Sequence, residues 1–147
     1  MIPFLDRIEE KKRINRLLDG EDRALFDGHY QTYFGGVWER LVREEIHRKP
    51  LPGCEERFRN AARWWGAGLD RQPMELDVVA ESLDGKTLLV GEAKLFLSEA
   101  EASRAVKKLE DKARQLPFAN KYEKILTKLF VAKDPPPGVV SLDWCEE

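Results

Sequence analysis

Three charged side chains in one short stretch have the types and spacing to do chemistry together: Asp77, Glu92 and Lys94. They lie in residues 74–96, MELDVVAESLDGKTLLVGEAKLF, which read as two antiparallel strands joined at Asp84-Gly85. Val78, Val79, Leu88, Leu89 and Val90 suit a half-buried pleated surface. Asp-Gly between two such runs is a strong hairpin signal, because both residues tolerate positive φ. A two-residue loop sets Leu83 against Lys86, Val79 against Val90, Asp77 against Glu92 and Glu75 against Lys94. With side chains repeating every second residue, Glu75, Asp77, Val79, Glu92 and Lys94 then share one face. Opposed Cβ atoms stand about 4.5–5.5 Å apart, and like charges so placed destabilise a strand pair. Two facing carboxylates therefore need a counter-charge, which a divalent cation with Lys94 beside it would supply. The plainer alternative is the solvent face of a hairpin, and the apolar Val79, Leu88, Val90 and Phe96 on that face argue against it.

Hard oxygen donors suit Mg²⁺ or Mn²⁺ rather than zinc. The chain has two His, and its two cysteines, Cys54 and Cys145, lack a CxxC spacing. Two free thiols in a reduced cytoplasm are the expectation. With 147 residues, 42% hydrophobic and 35% charged, the sequence is one domain's worth and long enough for one core. A net charge of −2 gives no global basic field, so a nucleic-acid role would need a local basic patch. No apolar run is long enough to cross a membrane, and the N-terminal stretch lacks the apolar centre of a signal peptide.

The elements that must position these residues follow from local signals. Residues 4–20 read as a peripheral helix, with Asp6 and Glu9 at its start and Gly20 at its end. Residues 21–30 add at most a turn, leaving His29 in a loop-like setting. Residues 32–48 form the next helix, with Phe34, Val37, Trp38, Leu41, Val42 and Ile46 making an apolar face toward a sheet. Gly35-Gly36 in its first turn costs about 1 kcal/mol each relative to Ala, a cost that close backbone approach would explain. Residues 61–69 start the sheet, where Trp64 and Trp65 are expected to pack in the core rather than stack on bases. Ser98 and Glu101 form a capping box for a helix ended by Pro117, with Ala102, Ala105, Val106, Leu109, Ala113 and Leu116 on its buried face. Residues 124–132 give another strand and 139–144 a last edge strand. A helix on each side of a short mixed sheet makes an α/β three-layer sandwich.

At these residues the chain resembles a known superfamily. Asp77 followed by Glu92-Ala93-Lys94 looks like the D…ExK signature of the PD-(D/E)xK nucleases. Arg63-Trp64-Trp65, Glu75-Leu76-Asp77-Val78-Val79-Ala80 and Val90-Gly91-Glu92-Ala93-Lys94, in that order, are similar to the nuclease-like domain that closes many archaeal-type (DEXX-box) ATPases. The resemblance runs from about residue 34 to residue 130. The first helix also resembles the opening of those ATPases, but their nucleotide-binding core has no counterpart here. The only Gly-Lys-Thr, at 85–87, lies in the hairpin turn, and a P-loop would need glycine where Ala80 stands.

The resemblance implies a restriction-endonuclease-like fold over residues 31–147, after an N-terminal helical extension at 1–30. It also implies a Mg²⁺- or Mn²⁺-dependent phosphodiesterase acting on DNA or RNA. Asp77, Glu92 and Glu39 would hold the ion, Glu39 being carried over from a similar G-x-x-F-E on the corresponding helix. Lys94 would orient water or stabilise the developing charge. Glu39 also reads as an ordinary solvated helix carboxylate, and Glu45, nearer the centre of the stripe, is its rival if the helix is rotated. Lys107, Lys108 and Lys112 are placed either to reach phosphates beside the site or simply to be solvated. Expected partners are nucleic acid, DNA ahead of RNA, an ATPase and a second copy of the chain. The alternative is a catalytically silent nuclease-fold module that binds nucleic acid or another protein.

Overall fold

The computed structural model describes residues 28–141 together with Glu9, Lys12 and Trp144. Apart from Glu9 and Lys12, the helix expected at 4–20 lies outside the described residues, as does most of the extension at 1–30. The first element, α1 (Gly28–Arg48), starts before Thr32, so His29 belongs to a helix rather than a loop. Every residue of its expected stripe, from Phe34 to Ile46, is buried. Trp38 is fully buried and its indole Nε1 donates to Phe130 O at 3.1 Å, which satisfies the one polar group the ring carries inward.

The sheet has five strands in the order β1 (Ala62–Ala67), β2 (Pro73–Glu81), β3 (Thr87–Lys94), β4 (Lys124–Val131) and β5 (Val140–Ser141). The first three are antiparallel neighbours, and β3, β4 and β5 run parallel. A parallel step needs a crossover, and α2 (Glu99–Gln115) provides it between β3 and β4. Ser98 caps α2 with the expected box, donating its backbone N–H to Glu101 and accepting from the Glu101 N–H. One sheet face packs Val78, Ala80, Leu89, Ala93 and Phe130 against α1. The other packs Leu76, Leu88, Val90 and Leu129 against Leu109, Ala113 and Leu116 of the α2 side. The fold is an α/β sandwich of three layers, with β3 buried on both faces along most of its length.

Four local expectations are corrected. The hairpin loop spans four residues, closed by Ser82 and Thr87, and only Gly85 has positive φ. Asp84 holds this loop by accepting from Ser82 Oγ at 2.7 Å and Lys86 N at 3.0 Å, bonds that keep its carboxyl below the usual range. The register is nonetheless the expected one, with Val79 opposite Val90. Trp64 packs edge-on to Phe118 at 6.0 Å, but Trp65 is 70% exposed. Val106 also faces outward, and β5 is shorter than residues 139–144.

A further correction governs the site. From Ala62 to Trp64, β1 advances two residues, while its partner β2 goes from Val79 to Leu76, three residues. The extra residue is a bulge at Asp77-Val78. Because of it, Leu76 packs on the α2 side and Val78 on the α1 side, although they are two apart in sequence.

Candidate active site

Asp77 stands in the bulge, and α1 reaches it from one side of the sheet. Its Oδ2 accepts from the Ala93 N–H of β3 at 2.9 Å, while Arg43 of α1 donates to its backbone carbonyl at 3.0 Å. Glu39, one helical turn before Arg43, is hydrogen-bonded to the Asp77 carboxylate. Burial, then the hydrogen bond and the negative charge of Asp77, push the Glu39 carboxyl up to about 7, against the opposing pull of Arg43 and Arg63. The pair opens into a cleft of about 410 Å³ whose walls include Gly35 and Gly36 of α1 and Lys94 to Phe96 at the end of β3.

Of the residues expected at the site, Glu39 and Asp77 bring their carboxyl groups together in this cleft, and Lys94 borders it at the end of β3, between Ala93 and Leu95 of the α1-side core, so that alternation sets its side chain on the face of Glu92. Glu92 does not join them. It follows Leu88 and Val90 onto the α2 side, where Lys112 binds it at 2.9 Å and also donates to Glu75 O at 3.1 Å. The expectation that Asp77 and Glu92 share a face is therefore overturned, because a bulge of one residue reverses the facing of β2 relative to β3. Among the described residues, no three His, Cys, Asp or Glu side chains stand together as a metal-holding group. The cleft's two carboxylates are hard oxygen donors, a number that suits Mg²⁺, which keeps several waters and takes one or two carboxylates.

The rival Glu45 is 1% exposed and lies near Lys49 at 3.5 Å and Arg48 at 3.9 Å, so the carboxylate that α1 offers to the cleft is Glu39. Lys112 is committed to Glu92, and Lys107 and Lys108 are exposed on α2. Neither Arg43 nor Arg63 received a site role from the sequence, Arg63 entering only through the Arg63-Trp64-Trp65 block. The spacing of Arg43 four residues after Glu39 was the available signal. A second depression of about 490 Å³ lies between α2 and β4, lined by residues such as Leu69, Arg114 and Pro117, and it contains no carboxylate pair.

No described helix is long and apolar enough to cross a membrane. No curated protein matches the sequence. Residues 8–107, which include the Glu39–Asp77 cleft and all of β1 to β3, match the DUF234 family, described as archaeal and bacterial proteins of unknown function, and the chain belongs to that family.

Proposed function

We propose that this chain is a metal-dependent phosphodiesterase of the PD-(D/E)xK superfamily, a nuclease in which Glu39 and Asp77 hold Mg²⁺ or Mn²⁺. The observation that carries the reading is the hydrogen-bonded Glu39–Asp77 pair in an open cleft that Lys94 also lines. When bound, the ion would polarise a phosphodiester oxygen and lower the pKa of a coordinated water.

The chain's own residues supply the rest. The Ala93 N–H holds Asp77 Oδ2, and Arg43 holds the Asp77 backbone, so this carboxylate is fixed before any ligand arrives. Glu39 would give up its proton if it held a cation, since a metal ligand must be ionised. The superfamily resemblance gives Lys94, which borders the cleft at the end of β3, the role of offsetting the negative charge that would grow on the phosphoryl oxygens.

A second reading has its own observation. The Glu92–Lys112 pair lies on the opposite side of the sheet, which leaves the cleft with two acids. This favours a nuclease-fold module that binds nucleic acid or a partner without turnover.

The test is cleavage of single- and double-stranded DNA and RNA with Mg²⁺ or Mn²⁺ by the wild type, Asp77→Asn and Lys94→Ala. Cutting that requires the metal and falls at least about 100-fold in either variant is expected. Metal binding by calorimetry with no cutting by the wild type would replace the nuclease reading with the silent module.

A further inference from the structure

Trp65 presents the largest exposed aromatic surface among the described residues, at 70% exposure. It stands opposite Glu75 across the β1–β2 pair, so the two share a face of the sheet. Arg63, two residues earlier on β1, points the same way and pairs with Glu75 at 3.3 Å. The positive charge of Arg63 is also felt by Glu39, which places it beside the cleft. Trp64, between them, faces the α2 side with Phe118. An indole face, a guanidinium and the carboxylate pair thus succeed one another along one side of the sheet.

The cleft adds a second observation. A Cβ placed on Gly35 or Gly36 would meet nothing within 4 Å, and neither residue has the positive φ that only glycine tolerates easily. Packing and backbone geometry would both admit alanine, which a helix prefers. Two bare backbone positions in succession leave that wall of the cleft open to close approach by a ligand. At about 410 Å³, the space is of small-molecule size, on the scale of a nucleotide.

We propose that this face binds a single nucleic-acid strand, one base stacked on Trp65 and the backbone passing Arg63 into the cleft along Gly35-Gly36. The proposal rests on the phosphodiester reading and names its substrate as unpaired nucleic acid. Exposed aromatics beside cations are what single strands use, because every base offers a π face and every link a phosphate.

The experiment measures binding of a labelled pyrimidine oligonucleotide of about 12 nucleotides, and of the same sequence as a duplex. Ca²⁺ replaces Mg²⁺, so that affinity is read without turnover. The single strand is expected to bind more tightly than the duplex, and Trp65→Ala to weaken it about tenfold. Trp65→Phe, which keeps a stacking face, should restore most of the affinity. Gly36→Ala should raise the melting temperature yet weaken the strand. Equal affinity for the duplex, wild-type affinity in Trp65→Ala, or no binding of the strand would each overturn the proposal. If these binding results hold while Mg²⁺ produces no cutting, the hydrolytic reading falls and the strand-binding face stands.

Discussion

At the scale of single residues, the raised Glu39 carboxyl beside Asp77 gives the cleft a pH response. The Glu39 carboxyl is raised from its ordinary 4.5 to about 7 by burial and by its acidic neighbour. A carboxyl raised on folding contributes stability that is fully present below its unfolded value and lost as pH climbs through the folded one. Wild-type stability should therefore fall between pH 4.5 and pH 7, as Glu39 is forced to ionise beside Asp77. Glu39→Gln keeps a hydrogen-bond donor to Asp77 without the charge. It should match the wild type at low pH and melt a few degrees higher once the wild-type carboxyl is ionised, as followed by thermal denaturation across that range. A flat wild-type profile would mean that the Glu39 carboxyl is not raised. Asp77 itself was legible as a chemical residue, but its partner was not Glu92. The carboxylate that meets it comes from α1, and the rotation of that helix, which chose Glu39 over Glu45, is set by packing against the sheet.

At the scale of elements, β3 is the strand on which the site depends. It pairs with β2 and β4 and supplies the Ala93 N–H that holds Asp77. Its Gly91 is confined. A Cβ there would lie 2.8 Å from Phe130 Cε2, with Lys128 O and Val78 Cβ each at 3.2 Å. Phe130 is fully buried and its backbone carbonyl accepts the Trp38 indole, so the ring has little freedom to retreat. Gly91→Ala is expected to destabilise the fold by about 1–3 kcal/mol, the usual cost of overpacking, measured by denaturant unfolding. Because the strain would fall between Val78 and Phe130, a loss of metal affinity should accompany it. The contrast with Gly36, where alanine meets open space, separates a glycine required by packing from one that leaves room for a ligand.

At the scale of the whole molecule, a net charge of −2 means that the proposed attraction to nucleic acid would rest on local cations, of which Arg43 and Arg63 act on Glu39 at the cleft. A divalent ion that binds the folded chain alone must raise its stability by mass action, about 2.7 kcal/mol at a hundred times its dissociation constant. Mg²⁺ should accordingly raise the melting temperature of the wild type and leave Asp77→Asn nearly unmoved. The rise should be larger above pH 7 than below it, because under acid conditions the ion must first displace the Glu39 proton. Calorimetry in two buffers of different ionisation enthalpy would count that proton directly.

The sequence by itself determined the elements and most of their pairing. The α2 capping box, the apolar stripe of α1 and the register that sets Val79 against Val90 all arise from signals within a few residues of where they act. It also marked residues 74–96 as the stretch where chemistry is expected, since acids and a lysine among β-branched residues are unusual in a strand that only packs. Only the tertiary structure decided which of those acids meet. A bulge adds one residue without any composition of its own to announce it, and strands buried on both faces lack the alternation that would reveal a change of side. The bulge at Asp77-Val78 therefore turned Asp77 toward α1 and Glu39, while Glu92 kept its alternation on β3 and met Lys112.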